Sequence, residues 1–227
     1  DAESAHNKAE GSYGAIYASA SISVGGTTTI TENEAGQSYG AVATDGDITL
    51  GGSATISGNK AGVDYGAVFA NGSLSIVGDT TISGNTAGEN FGAIAAYSMS
   101  VGAEDAPVTV EITGNEAGRD YGAVYVEESF TVYGSVNVDS NKAATAPIVE
   151  VQTSDETLEN GAIATTTVTK TTVVGKTGAL HVENGDATIT DAATFTNNTA
   201  GETGALYVGG ALRVGELTLS NNEAVGG

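Results

Sequence analysis

The sequence contains no cysteine, so neither disulfide bonds nor thiol chemistry contribute to its fold or activity. Basic residues are scarce as well: 7 lysines and arginines stand against 28 aspartates and glutamates, a formal net charge of −21 at pH 7. Such a chain repels nucleic acid and anionic lipid, and we expect neither as a partner. It also lacks any run of about 18 apolar residues, so we expect no direct membrane insertion of this segment.

Helical signals are missing too, because glycine supplies 33 of the 227 residues and no segment sustains a 3.6-residue apolar period. What the chain does have is an internal repeat. The triplet Asn-x-Ala recurs at Asn7, Asn33, Asn59, Asn85, Asn115, Asn141, Asn198 and Asn222. The first four copies follow at a constant spacing of 26, and later spacings of 30, 26, 57 and 24 indicate insertions and one deletion. A period of this length is typical of a solenoid.

A second motif, Gly-Ala followed by Ile, Val or Leu, keeps nearly fixed phase with the first. It starts at Gly14, Gly40, Gly66, Gly92, Gly122, Gly161, Gly178 and Gly204. Between the motifs, three pairs of apolar residues two apart recur in each unit, as in Val124 and Val126, Phe130 and Val132, Val136 and Val138. Each pair predicts a short strand with alternate side chains inward. Residues 1–227 therefore predict one all-β domain: a single-stranded, right-handed parallel β-helix with three strands per rung and about 8–9 rungs.

Two columns of identical positions are expected to be structural ladders. Each Asn of the first motif can donate its amide to the next Asn, satisfy turn backbone groups and tolerate a left-handed conformation. Aromatic residues precede the first five Gly-Ala motifs: Tyr13, Tyr39, Tyr65, Phe91 and Tyr121. Rings one rung apart are expected to stack along the rod. The aromatic column stops there, because Asn160, Thr177 and Thr203 take the later places.

The repeat is interrupted in two places. Four extra residues fall in 102–107, where Pro107 predicts a loop between strands. The second interruption, 144–176, is an irregular excursion in which the Thr-rich run 165–174 predicts an irregular strand or an edge hairpin. We interpret the long gap between Asn141 and Asn198 as two lengthened units. Insertions in solenoids often carry binding, and the alternative is a tolerated excursion without function.

No catalytic, cofactor-binding or metal-binding residues are predicted, and we expect the protein not to be an enzyme. Acidic residues are scattered, His6 and His181 lie far apart in the array, and the calcium-binding nonapeptide motif is absent. Asp64 and Asp120 share one position beside the aromatic column. Because polysaccharide lyases and hydrolases use β-helix scaffolds, a carbohydrate-active enzyme stays an alternative, which an acidic cluster on one sheet would favour.

One further column is expected to face solvent, since it lies between two inward positions of the first strand. It holds Tyr17, Ala43, Phe69, Ala95, Tyr125, His181 and Tyr207. Its aromatic members are the candidate partner-binding residues: Tyr17, Phe69, Tyr125 and Tyr207. Exposed rings in a line can stack on sugars or pack on a protein, and the alternative is that they only cover the sheet with residues that favour strands.

The paired motifs resemble the repeats of the chlamydial polymorphic membrane proteins. Phe195-Thr196-Asn197-Asn198 matches that family's Phe-x-x-Asn motif, and Tyr13-Gly14-Ala15-Ile16 is similar to its Gly-Gly-Ala-Ile, with Tyr in place of the first Gly. The likeness covers nearly the whole chain except 144–176. It implies a right-handed β-helix acting as a surface adhesin, typically an autotransporter passenger on the bacterial outer membrane.

From this resemblance we expect an extracellular, adhesin-like segment that attaches to host cells, matrix or glycans through an unidentified protein or glycan receptor. No signal-peptide pattern opens the chain and neither end carries a polar cap, so we expect a piece of a longer exported array. The alternative is a purely structural stalk or fibre subunit that self-associates end to end through its open solenoid ends.

Overall fold

A computed structural model describes residues 2–145, 148–157, 163–172 and 175–225. These residues form strands and turns, and no helix among them is long and apolar enough to cross a membrane. Strands of successive rungs pair in parallel at the repeat spacing, because each rung returns to the same side of the coil. The predicted parallel β-solenoid is therefore confirmed, and it makes about 7 turns.

Three columns of strands form the faces of the rod. The first face holds Ile16–Ala18, Val42–Thr44, Val124–Val126, Leu180–Val182, Leu206–Val208 and the first halves of Val68–Ile76 and Ile94–Val101. The second holds Ile22–Val24, Ile48–Leu50, Phe130–Val132, the second halves of those two long strands and the first halves of Ala187–Thr196 and Leu212–Ser220. The third holds Ala2–Ala5, Thr28–Thr31, Ala54–Ser57, Thr80–Ser83, Val108–Thr113, Gly134–Asp139 and the remaining halves of Ala187–Thr196 and Leu212–Ser220.

Short two-residue strands follow the asparagines: Lys8–Ala9, Glu34–Ala35, Lys60–Ala61, Thr86–Ala87, Glu116–Ala117, Thr199–Ala200 and Glu223–Ala224. Inside the rod, residues of equal position stack rung on rung, as Ile30 on Ile56 and Ile82 on Ile112. The six residues predicted to point inward between positions 124 and 138 are all buried. Each buried aliphatic side chain contributes about 2 kcal/mol, and the contributions accumulate along the rod because each rung packs mainly on its neighbours.

The asparagine column is a continuous hydrogen-bonded ladder from Asn7 to Asn222. At each step the backbone N–H and the side-chain amide of one Asn both donate to the side-chain oxygen of the next, over 2.8–3.1 Å. The amide also donates to a backbone carbonyl, as Asn115 does to Ile82. The predicted ladder is confirmed. The left-handed residue is instead the one before each Asn, such as Glu32 and Ser140 with φ of 56° and 57°, because the corner is turned there.

The count of about 7 turns is slightly below the 8–9 rungs predicted, and the ladder shows why. Asn141 donates directly to Asn198, 57 residues later, so the gap holds one rung and an insertion. Likewise the Gly122 N–H donates to the Thr177 carbonyl over 3.0 Å, which makes Gly178 the next anchor after Gly122. Gly161 of the intervening Gly-Ala-Ile motif, like Asn160, lies outside the described residues, and the Ile that completes the motif begins a strand of the insertion.

The insertion is an antiparallel hairpin of Ile148–Thr157 with Ile163–Thr172. This confirms the hairpin alternative for the Thr-rich run as far as residue 172. The coil leaves and resumes at adjoining positions: the Ala144 N–H donates to the Arg119 carbonyl, and the Gly175 N–H donates to the side chain of Asp120. The smaller interruption is a loop, as predicted, in which Ala103 and Ala106 exchange backbone hydrogen bonds of 3.0–3.1 Å.

Candidate functional site: an aromatic face

The predicted aromatic column stacks along the rod. The rings of Tyr13, Tyr39, Tyr65, Phe91 and Tyr121 follow one another with centroids 4.8–5.1 Å apart and planes within 9° of parallel. All five residues have left-handed backbones, with φ between 64° and 69°. Such a conformation costs an ordinary residue roughly 1–2 kcal/mol, which stacking of about 1 kcal/mol per pair beyond burial partly offsets. The column is thus a rigid ladder whose ring faces are covered by each other.

The second column, expected to face solvent, does so only in part. Tyr17 and Tyr207 are 41% and 44% exposed. Phe69 and Tyr125 are half-buried, because they lie against the ladder rings of Tyr65 and Tyr121 at centroid distances of 4.4 and 4.7 Å. The remaining members, Ala43, Ala95 and His181, are buried. The expectation of solvent exposure is therefore wrong for the three buried members and holds in part for Phe69 and Tyr125, whose rings the neighbouring ladder rings partly cover.

The stack changes column where the ladder ends. Beyond Tyr121, stacking continues from Tyr125 to His181 and from His181 to Tyr207, with centroids 5.7 and 4.5 Å apart. Tyr121 itself meets His181 edge-on at 4.8 Å. Together the two columns form one surface from Tyr13 to Tyr207, which we call the aromatic face.

A row of polar residues borders the aromatic face: Asp45, Asn71, Tyr97, Glu127 and Glu183. The Tyr17 hydroxyl donates to the Asp45 carboxylate over 2.7 Å, and this hydrogen bond raises the pKa of Tyr17 to about 12. Burial raises the pKa of Tyr65 and of Tyr125 to about 12 as well. These phenols therefore stay protonated at neutral pH, so the face offers hydroxyl donors beside carboxylate acceptors.

Between Phe69 and Tyr125 the aromatic face is indented. Ala95 lies between them in the column and forms the floor of an open depression of about 290 Å³. Exposed Tyr97 stands at its edge next to Glu127. The sequence analysis did not identify Tyr97 as a candidate. Its side chain is nevertheless expected to point outward, because it lies two residues after Ala95 and side chains alternate along a strand.

A buried polar relay lies near the far end of the face. The His181 ring is hydrogen-bonded through Nδ1 to the Thr177 hydroxyl and through Nε2 to the Glu183 carboxylate, both over 2.8 Å. Because the carboxylate only accepts, Nε2 carries the proton and Nδ1 accepts from Thr177. The arrangement resembles a nucleophile–histidine–acid set, but Thr177 is 1% exposed, so its hydroxyl is closed to a substrate. Sequence reasoning missed this relay, although His181 lies in the strand Leu180–Val182 and Glu183 follows it directly.

Burial lowers the pKa of His181 below its ordinary value of 6.5; Lys176 also lowers it, while Glu183 and Asp120 act against the shift. The imidazolium is thus less favourable in the fold than in the unfolded chain. His181 therefore contributes stability that is complete above about pH 6.5 and declines as the pH falls below it.

We expect the unfolding free energy of the wild type to fall more between pH 7 and pH 5 than that of His181→Gln. Chemical denaturation at a series of pH values measures this difference. His6→Gln, at an exposed histidine, controls for removal of a histidine as such. Parallel pH profiles for wild type and His181→Gln would contradict the assignment.

Asp64 and Asp120, the two acids beside the aromatic column, accept hydrogen bonds that hold the neighbouring turns. Asp64 accepts hydrogen bonds of 3.0 Å from the backbone and side chain of Asn90, and Asp120 accepts from the N–H groups of Gly175 and Lys176. Within the described ranges, no three acidic or histidine side chains converge into a group that could hold a metal ion.

Compared with protein-family models, with curated proteins and with solved structures, the chain gave no match. The resemblance to polymorphic membrane protein repeats therefore depends on the sequence motifs alone.

Proposed function

We propose that this protein is an extracellular, adhesin-like rod on a bacterial cell surface, attaching to host cells, matrix or glycans through its aromatic face. The observation that carries the proposal is the continuity of that face from Tyr13 to Tyr207 across successive rungs. Aromatic rings supply large contact areas, and exposed apolar surface, which this face offers at Tyr13, Tyr17 and Tyr207, marks interaction sites.

The rigidity of the face supports binding by many modest contacts. Its rings are fixed by stacking and by left-handed backbone, so little side-chain entropy is lost when a partner docks. Contacts repeated along one rigid rod also raise the effective concentration of each next contact. A catalytic role gains no support from the Thr177 relay, whose hydroxyl is buried.

The test measures saturable binding of the purified chain to cultured host cells, matrix proteins and a glycan array. We expect the double variant Tyr17→Ser/Tyr207→Ser to bind on the order of tenfold more weakly, because two exposed rings are lost. Deletion of 145–174 is expected to leave binding intact, since Ala144 and Gly175 occupy adjoining positions of one rung.

Tyr133→Ser, at a half-buried tyrosine between the second and third faces of the rod, is the control and is expected to bind like the wild type. Circular dichroism verifies that each variant is folded. Absence of binding by the wild type to all three targets would refute the adhesive function. Loss of binding in the deletion alone would move the site from the aromatic face to the hairpin.

A further inference from the structure

Large and small residues alternate along the second column of the aromatic face. Its first five members are Tyr17, Ala43, Phe69, Ala95 and Tyr125, which belong to successive rungs. Rungs lie about 4.8 Å apart, so aromatic rings recur about every 9.6 Å along the rod. Ala95 leaves room between the rings of Phe69 and Tyr125, and this room is the 290 Å³ depression.

The rings of Phe69 and Tyr125 beside the depression are tilted against the ladder rings. Phe69 is inclined 53° to the ladder ring of Tyr65, and Tyr125 is inclined 54° to that of Tyr121. These two inclined rings line the depression together with the ladder rings of Tyr65 and Phe91, so its wall is largely aromatic. Asn71, Tyr97 and Glu127 add an amide, a phenol and a carboxylate at its edge.

This combination matches the chemistry of a pyranose ring. The C–H face of a sugar packs on aromatic surface, and its hydroxyls donate to carboxylates and amides at the edge. Rings that recur every two rungs are spaced by roughly the length of one disaccharide in an extended, β-linked chain. Such a polymer lying along the rod axis would meet equivalent subsites in register.

Charge decides which glycans fit. The chain carries a net charge of −21, and much of its positive charge is already paired. Arg119, Lys142 and Arg213 lie 2.9–3.7 Å from the carboxylates of Glu89, Glu116 and Asp186, respectively. Lys176 sits over the Tyr121 ring, with its ammonium 5.6 Å from the centroid. Sulfated or uronate-rich chains would therefore be repelled, and uncharged ones would not.

We propose that the aromatic face binds a neutral, linear, β-linked polysaccharide along the rod axis, with one sugar subsite in the depression over Ala95. This inference rests on the adhesive function proposed above and specifies its ligand. Other occupants, such as a protein segment or an anionic glycan, are outcomes of the test below.

The experiment measures Kd by titration calorimetry with neutral β-linked oligosaccharides, such as cello-, xylo- and chito-oligosaccharides, and with heparin and polygalacturonate as anionic probes. Ala95→Tyr fills the depression, and Tyr97→Ser removes the exposed ring at its edge. Each is expected to raise Kd for the neutral ligand on the order of tenfold. Thr55→Tyr, which adds an exposed tyrosine to another face, is expected to leave Kd unchanged.

Binding of neutral chains, weakened by both face variants and not by Thr55→Tyr, supports the inference. Preference for the anionic probes overturns it, as does neutral binding that neither face variant weakens. Attachment to cells or matrix proteins without any glycan binding also overturns it, while the adhesive function stands. Failure of the wild type to bind cells, matrix and glycans alike would remove both.

Discussion

Replacing Asn115 with alanine is expected to lower the free energy of unfolding by about 4 kcal/mol, one of the two largest effects we predict for a single substitution here. Asn115 is fully buried, and its side-chain oxygen accepts from both the backbone and the side chain of Asn85. Its amide donates to Asn141 and to the Ile82 carbonyl. Alanine leaves two buried donors of Asn85 without an acceptor, each costing about 1–3 kcal/mol.

Urea denaturation followed by far-ultraviolet circular dichroism measures the change. Asn71→Ala is the matched control, because Asn71 is exposed and donates only a long bond of 3.5 Å to the Asp45 carbonyl. We expect that variant within about 0.5 kcal/mol of the wild type. Equal urea midpoints for the two variants would contradict this prediction. They would show that the asparagine ladder forms as a consequence of coil stacking and does not itself stabilise the coil.

The ladder also marks the limit of what the sequence predicts. Asparagine spacing predicted the solenoid and the inter-rung bonds, since a column repeated at a constant interval has to stack. The long gap between Asn141 and Asn198 was misinterpreted, because length alone does not distinguish two long rungs from one rung with a hairpin. In the structure, the direct bond between these two asparagines and the pairing of Gly134–Asp139 with Ala187–Thr196 identify them as neighbours.

The candidate site was predicted less completely than the fold. Alternation along a strand predicts which side chains point outward, but it does not predict which neighbouring side chains cover them. Phe69 and Tyr125 do point outward and are then half covered by the ladder rings four residues earlier in the same rung, a contact that strand alternation does not predict. The pairing of Thr177 with His181 is equally a product of packing, because the turn before the strand brings a buried hydroxyl to the ring.

Gly92→Ala is expected to destabilise the rod by about 3 kcal/mol or more, since it forces two rungs apart. An added Cβ would lie 2.2 Å from the Gly122 carbonyl oxygen and 2.8 Å from the Glu116 backbone. Backbone atoms cannot move aside as a flexible side chain does, so the two rungs have to separate locally. This separation weakens the 2.8 Å hydrogen bond from the Ile94 N–H to the Ala123 carbonyl and the stacking of Phe91 on Tyr121. The same close approach recurs at Gly40 and Gly66, which is why Gly-Ala repeats in the sequence.

Gly11→Ala is the control for Gly92→Ala, because no atom beyond its two chain neighbours lies within 4 Å of its added Cβ. By restricting the unfolded chain, this change is expected to be neutral or to stabilise by up to about 1 kcal/mol. Thermal unfolding compares the two variants, and hydrogen exchange locates the damage of Gly92→Ala to the rungs on either side of residue 92. Equal melting temperatures for the two variants would contradict this prediction. They would show that neighbouring rungs can separate enough to accept a Cβ, and that close backbone contact does not explain the glycine column.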